Sequence, residues 1–329
     1  MSPFCYSVTA PVDFPFLVSG GQVFLWREQS GLGEGWLAAP ARATPSSRGG
    51  ETSNKGLTTA PTGLRPGPAS LPKQQAIWHG VHGPDWYEVR VGERLEVTSS
   101  APESEFHRLF SLTPEWDAAV NELRADPRLT ELLDRHPGLR LVRPRVRLEG
   151  TVCFLCTSNN HLPRITAMIE RLWNLGPGRD GRRLFPDLAA LLPVNEERLR
   201  EWGFGYRGRT IPLALRALAD HGGEEWLASL DSEPMPTVRR ELMTLAGVGP
   251  KLAECIALFG LGRWDAAPVD THVWQSLGRW LRPDWAGLAL SARRITEASD
   301  WLRGEFGPYA GIVQQFLFTD NLRRPRGER

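Results

Sequence analysis

An amine at Lys251 and a carboxylate at Asp270 are the two side chains whose sequence context best suits chemistry at an electrophilic carbon. Of the 39 basic residues only three are lysine: Lys55, Lys73 and Lys251. Lys55 and Lys73 fall in a Pro/Ser/Gly-rich stretch that reads as unfolded, so the folded part is expected to hold one ammonium group. Arginine supplies charge equally well but cannot serve as a neutral amine near pH 7. A lone lysine among arginines therefore suggests a use for nucleophilic nitrogen. The alternative is a chance lysine on a solvated helix end.

Lys251 follows the turn Gly247-Val248-Gly249-Pro250, which separates two helical patterns. Two glycines allow a tight hairpin with exposed backbone N–H groups. Those groups, with the positive end of the next helix, make a phosphate site, so Gly247, Val248 and Gly249 are candidate DNA-backbone contacts. The alternative is a plain helix–turn–helix connection. Lys251 falls in the first turn of that next helix, where the macrodipole and partial burial are expected to lower its pKa and favour the neutral, attacking amine. Nineteen residues on, Pro268-Val269-Asp270-Thr271-His272 places Asp270 as a helix N-cap. A carboxylate fixed in that way stays ionised and can stabilise positive charge on an opening sugar ring.

The elements that must hold these residues divide into a β-rich start and a helical remainder, an α+β protein. Phe14–Trp26 reads as two short β runs broken by Ser19-Gly20-Gly21. Strand-like alternation returns at Ala76–Val81 and Trp86–Thr98, after a Pro/Ser/Thr/Gly-rich insertion near 39–75 that is expected to be disordered or mobile. Thr113-Pro114-Glu115 opens a helix, and further helices are expected at Glu149–Ser158, Leu162–Trp173, Phe185–Leu191, Glu196–Trp202, Ile211–Asp220, Glu224–Ser229, Thr237–Ala246, Pro250–Leu261, Thr271–Leu281, Leu290–Phe306 and Tyr309–Asn321. The expected domains are an N-terminal antiparallel β domain over 1–110 and a large all-helical body over 111–329 that contains the hairpin.

Composition bounds the function. With 41% hydrophobic and 23% charged residues the chain is an ordinary globular one, and no apolar run is long enough to span a membrane. The start, MSPFCYSVTAP, lacks the features of a signal peptide, which points to the cytoplasm. A net charge of +1 gives no global basic field. Four cysteines are too few for a disulfide scaffold. Cys153 and Cys156 have ligand spacing without a second pair, and read as core thiols rather than metal or iron–sulfur ligands.

The hairpin, the lysine and the Pro-Val-Asp segment, in that order, resemble the helix–hairpin–helix DNA glycosylase superfamily. Further segments resemble its 8-oxoguanine glycosylase/lyase branch: Ser19–Glu28, Thr157–Ile165, Gly203-Phe204-Gly205-Tyr206-Arg207 and Tyr309–Phe318. The insertion departs from that pattern, as does His161 where the family often has a third Asn. The resemblance implies a DNA repair glycosylase with lyase activity on 8-oxoguanine opposite cytosine, in which Lys251 forms the Schiff base and Asp270 is the acid. Its partner would be double-stranded DNA containing oxidised guanine, with no cofactor, no metal, no membrane and a monomeric enzyme.

The same resemblance implies further roles. Gly21 would offer its C=O to the N7–H that oxidation creates on guanine. Gln314 would bond the base's Watson–Crick edge, with Phe318 and Cys255 stacking on its two faces. Flipping the base leaves its partner unpaired. Asn159 would fill the gap, Arg164 and Arg207 would donate to the orphaned cytosine, and Tyr206 would be the wedge. His272 would touch a phosphate. Core packing is the alternative for Phe318, Cys255 and His272, and a surface amide for Gln314. Two other functions stay open: an alkylated-purine glycosylase, which would lack the lysine, and a non-catalytic binder of DNA structure.

Overall fold

The structure is a computed structural model that describes residues 3–29, 76–143, 145–179 and 181–324. The insertion expected near 39–75, with Lys55 and Lys73, lies outside the described residues. The first layer is an antiparallel sheet built from β1 (Phe4–Val8), β2 (Trp26–Glu28), β3 (Ala76–His82), β4 (Asp85–Val91) and β5 (Leu95–Ser99), in the order β1-β5-β4-β3-β2. The alternation expected over Trp86–Thr98 is two strands: Gly92 donates its N–H to Arg94 O at 3.1 Å where they turn. β4 and β5 pair Val89 with Val97 and Val91 with Leu95.

Phe14–Ser19 is a helix, α1, and not the strand expected there. Asp13 accepts from the Phe16 N–H, Pro15 fills the first turn, and Phe14, Leu17 and Val18 are buried at helical spacing. A helical face of three large apolar groups, with a cap, outweighs the β preference of a short aromatic run. Phe14 packs edge-on to Trp26 at 5.4 Å between ring centroids and against Phe110 at 5.1 Å, tying the helix to the sheet.

The body contains α2 (Glu103–Leu109), α3 (Pro114–Leu123), α4 (Pro127–Asp134), α5 (Arg147–Leu155), α6 (Leu162–Trp173), α7 (Leu188–Leu191), α8 (Glu196–Glu201), α9 (Arg207–His221), α10 (Glu224–Ser229), α11 (Met235–Leu242), α12 (Pro250–Cys255), α13 (Thr271–Trp280), α14 (Ala292–Phe306) and α15 (Ala310–Arg323). It is not entirely helical, because β6 (Gly178–Arg179) and β7 (Arg182–Arg183) form a small hairpin between α6 and α7. α9 begins a turn earlier than expected and takes in Arg207, with Pro212 inside it. α12 runs on as a π-helical turn over Ile256–Gly260. The amphipathic helices bury one stripe each; in α6 that stripe is Ile165, Met168, Ile169 and Leu172. Cys153 and Cys156 lie in the core, and burial pushes both thiols up, Cys156 to about 12. Among the described residues no helix is long and apolar enough to cross a membrane.

Candidate active site

A cleft of about 430 Å³ lies between the sheet layer and the helical body. Its wall includes Gly21, Lys251, Cys255, Asp270, His272, Gln314 and Phe318, so six expected catalytic and pocket residues and one of the four expected phosphate contacts meet at one place, while Gly247, Val248 and Gly249 lie outside it. Volume and lining suit a single flat heterocycle.

Local chemistry sets each position. Gly247, at φ 86°, turns the chain between α11 and α12, and Val248 donates its N–H inward to Leu245 O at 3.1 Å. Gly249 is the N-cap of α12 and has no side chain to bond the free N–H groups of the first turn. Lys251 sits in that turn and Cys255 one turn later on the same face. Asp270 caps α13 through Oδ1, which accepts the Val273 N–H at 3.0 Å.

Glu254 ties these two pieces together. Its side chain is 1% exposed, between the Lys251 helix and the segment leading to Asp270. Oε2 accepts the Ala267 N–H at 2.8 Å, while Oε1 pairs with Arg239 at 2.7 Å and Arg303 at 3.1 Å. Ser299 donates to Ala267 O at 2.7 Å from α14. On the far side the Gly311 N–H donates to Trp264 O at 2.7 Å, and a Cβ at Gly311 would stand 2.4 Å from Ala266 O. That close approach seats α15 against the same segment and brings Gln314 and Phe318 to the cleft. Sequence reasoning missed Glu254. Its signal was a carboxylate inside the apolar run Leu252-Ala253-Glu254-Cys255-Ile256.

The electrostatics of Lys251 run opposite to expectation. Its pKa is raised, not lowered: the Cys255 sulfur, within hydrogen-bonding range, and the Asp270 carboxylate together outweigh desolvation by burial. A helix N-terminus and burial do oppose the charge, but the nearer partners decide. Burial pushes the Cys255 thiol up, with Lys251 pulling the other way.

The remaining wall is polar at chosen points. Gln314 is 3% exposed and its Oε1 has no hydrogen-bond partner. A buried acceptor left open costs stability and is ready to receive a donor. His272 meets Phe318 edge-on at 5.7 Å, and its Nδ1 accepts from the Asn321 amide at 2.9 Å. That bond leaves the neutral ring's proton on Nε2. Gly21 has φ 87°, a conformation L side chains rarely adopt, while a Cβ there would meet nothing within 4 Å. In this structure glycine is required by the turn rather than by crowding.

The expected opposite-base residues gather beside Thr157 and Asn160 of the cleft wall. Asn159 is exposed with φ 44°. Such strain is tolerated by Asn and is frequent at functional turns. Tyr206 is 53% exposed and donates its hydroxyl proton to Ser158 O at 3.1 Å. Arg164 Nη2 donates to Gly203 O at 2.9 Å. Arg207 lies beneath the Tyr206 ring, its Cζ 4.5 Å from the ring centroid, and is only 2% exposed. Its Nε and Nη2 have no partners. Among the described residues no group of side chains could hold a metal ion.

No protein-family model matches the chain. It is 41% identical over 206 residues to the Arabidopsis thaliana protein named N-glycosylase/DNA lyase OGG1, covering 60% of this chain and 56% of that one. The chain thus spans little more than half the length of that relative. It is 30% identical over 259 residues to a probable N-glycosylase/DNA lyase of Methanothermobacter thermautotrophicus, covering 71% of this chain and 80% of that one. Its fold matches the Clostridium acetobutylicum 8-oxoguanine glycosylase/lyase solved with double-stranded DNA containing cytosine opposite 8-oxoG, at a TM-score of 0.69 and 21% identity over 96% of this chain and 97% of that one.

Proposed function

This chain belongs to the N-glycosylase/DNA lyase family, and from that premise we propose that it excises 8-oxoguanine opposite cytosine from double-stranded DNA and then cuts the strand. The observation that carries the reading is one cleft wall shared by the Lys251 amine, the Asp270 carboxylate and the unpartnered Gln314 Oε1. Guanine and its 8-oxo form both present N–H donors on the Watson–Crick edge, which suits an open, buried acceptor. An alkylated-purine enzyme would need neither that amide nor the lysine, and a passive binder of DNA structure would need no cleft.

The geometry supports the following roles. The flipped base lies between Phe318 and Cys255, with Gln314 on its edge and the Gly21 carbonyl toward the N7–H that distinguishes the lesion. Lys251 first loses a proton to solvent and then, as the neutral amine, attacks C1′; the C1′–N9 bond breaks and its electron pair leaves with the base. Asp270 stabilises the positive charge that develops on the sugar. The attached nitrogen passes a proton to O4′ as the C1′–O4′ bond breaks, which opens the ring to a protonated imine. Loss of a C2′ proton then expels the 3′ phosphate. Tyr206 and Asn159 occupy the gap in the duplex. Arg207, with two N–H-bearing nitrogens unpartnered, and Arg164 donate to the orphaned cytosine, whose O2 and N3 accept. Gly247 and Gly249, with the Nε2–H of His272, hold phosphates, while the expected Val248 N–H is spent on Leu245 O at 3.1 Å and is not among the donors. The sheet layer and the helical body act as two domains that meet at the cleft.

The test is base release from duplexes carrying 8-oxoguanine opposite cytosine and opposite adenine, beside an undamaged duplex. Release favouring cytosine is expected. Equal release from the undamaged duplex, or none from any, would refute the reading.

A further inference from the structure

We infer that Gln22 is a positioning residue that sets the lesion-discriminating carbonyl of Gly21. The inference rests on the proposal that the cleft receives 8-oxoguanine. Discrimination there turns on one backbone oxygen, and a loop is a poor place to fix one. Ser19 at the end of α1 and Gly20, Gly21 and Gln22 of the loop after it line the cleft, with Gly21 at φ 87°. Something outside the loop must hold the Gly21–Gln22 peptide.

The clamp is the Gln22 side chain, 4% exposed. Its Nε2 donates to Arg140 O at 3.0 Å and its Oε1 accepts the Val142 N–H at 2.8 Å. One amide thus mimics a strand neighbour to the segment 140–142, satisfying both ends of itself. That segment is fixed in its turn. Ser111 donates to Leu141 O at 2.6 Å, and the Arg143 N–H donates to Leu109 O at 2.8 Å. The other end of the strap is tied to the same region, since the Asp13 N–H donates to Gly138 O at 2.9 Å. α1 and the glycine loop are therefore pinned at both ends against residues 138–142, and the pin next to Gly21 is a side chain. Gln22 does not touch the sugar chemistry, which lies with Lys251 and Asp270.

The experiment compares wild type with Gln22→Glu, which keeps the acceptor for Val142 and loses the donor to Arg140 O, and with Gln22→Met, which loses both. For each protein two rates are measured: excision from an 8-oxoguanine:cytosine duplex, and cleavage of an abasic-site duplex, which needs Lys251 but no base. Both are normalised to active sites counted by borohydride trapping on the abasic duplex, so partial unfolding cancels. The ratio of excision to abasic cleavage is expected to fall about 10-fold or more, since a displacement near 1 Å costs on the order of 100-fold at a fixed contact. An unchanged ratio in both variants, with wild type excising normally, would overturn the inference alone. A wild type inert on 8-oxoguanine would overturn the functional reading and the inference with it.

Discussion

Replacing Glu254 with alanine would strip the joint between the lysine helix and the carboxylate segment. Three partners are lost: the Ala267 N–H at 2.8 Å, Arg239 at 2.7 Å and Arg303 at 3.1 Å. Breaking a buried ion pair by removing one partner costs about 3–5 kcal/mol. Both arginines keep Asp300, at 2.6 Å and 3.1 Å, so neither is left without a counter-charge and the lower part of that range applies. The orphaned Ala267 N–H adds about 1 kcal/mol. A total near 4 kcal/mol corresponds to a drop in Tm of about 8 °C at roughly 2 °C per kcal/mol for a chain of this size. Glu254→Gln keeps the shape and one acceptor, and should lose about half as much. Thermal melting monitored by circular dichroism measures the first quantity, and abasic-site cleavage at 25 °C measures the second. Cleavage by Glu254→Ala is expected to fall at least tenfold, because Asp270 is no longer held in register with Lys251. A Tm within about 2 °C of wild type would refute the idea that this carboxylate holds the site together.

The raised pKa of Lys251 predicts pH dependence with a definite sign. The attacking form is the neutral amine, so kcat/KM for imine formation should rise about tenfold per pH unit from pH 6 through pH 8, and a plateau below pH 8 in borohydride-trapping rates would contradict the assignment. Gly311→Ala should cost about 2–3 kcal/mol by overpacking against Ala266 O, 2.4 Å from the new Cβ, a loss that chemical denaturation would measure and that an unchanged midpoint would refute. Gln314→Leu should leave abasic-site cleavage standing while lowering excision of 8-oxoguanine about 10-fold or more, since the open acceptor is gone; equal effects on both rates would assign the amide to structure instead.

Much of the cleft wall was legible because the residues that line it are local in sequence. The hairpin glycines, the amine one residue past Pro250 and the capping Asp270 all sit within a short stretch, and the i, i+4 pair Gln314 and Phe318 declares one helix face. The antiparallel sheet and most helix positions followed from periodicity and caps. What escaped depended on contacts between distant segments. α1 reads as β until Asp13 is seen to cap it. α9 starts early, at Arg207, despite Pro212. The Lys251 pKa is raised because Cys255 and Asp270 converge on it, and a reading of the helix terminus alone gives the wrong direction. Glu254 and Gln22 act across 13 and about 120 residues of chain, distances over which no local pattern carries information.

Lys251 is the proposed nucleophile, and borohydride trapping reads out the bond it forms. Wild type and Lys251→Gln would be incubated with an 8-oxoguanine:cytosine duplex and sodium borohydride, and the adduct digested and mapped by mass spectrometry. A reduced sugar remnant on Lys251 in wild type, and no adduct with lesion binding retained in Lys251→Gln, is the predicted result. An adduct on another residue, or full strand cleavage by Lys251→Gln, would contradict the account.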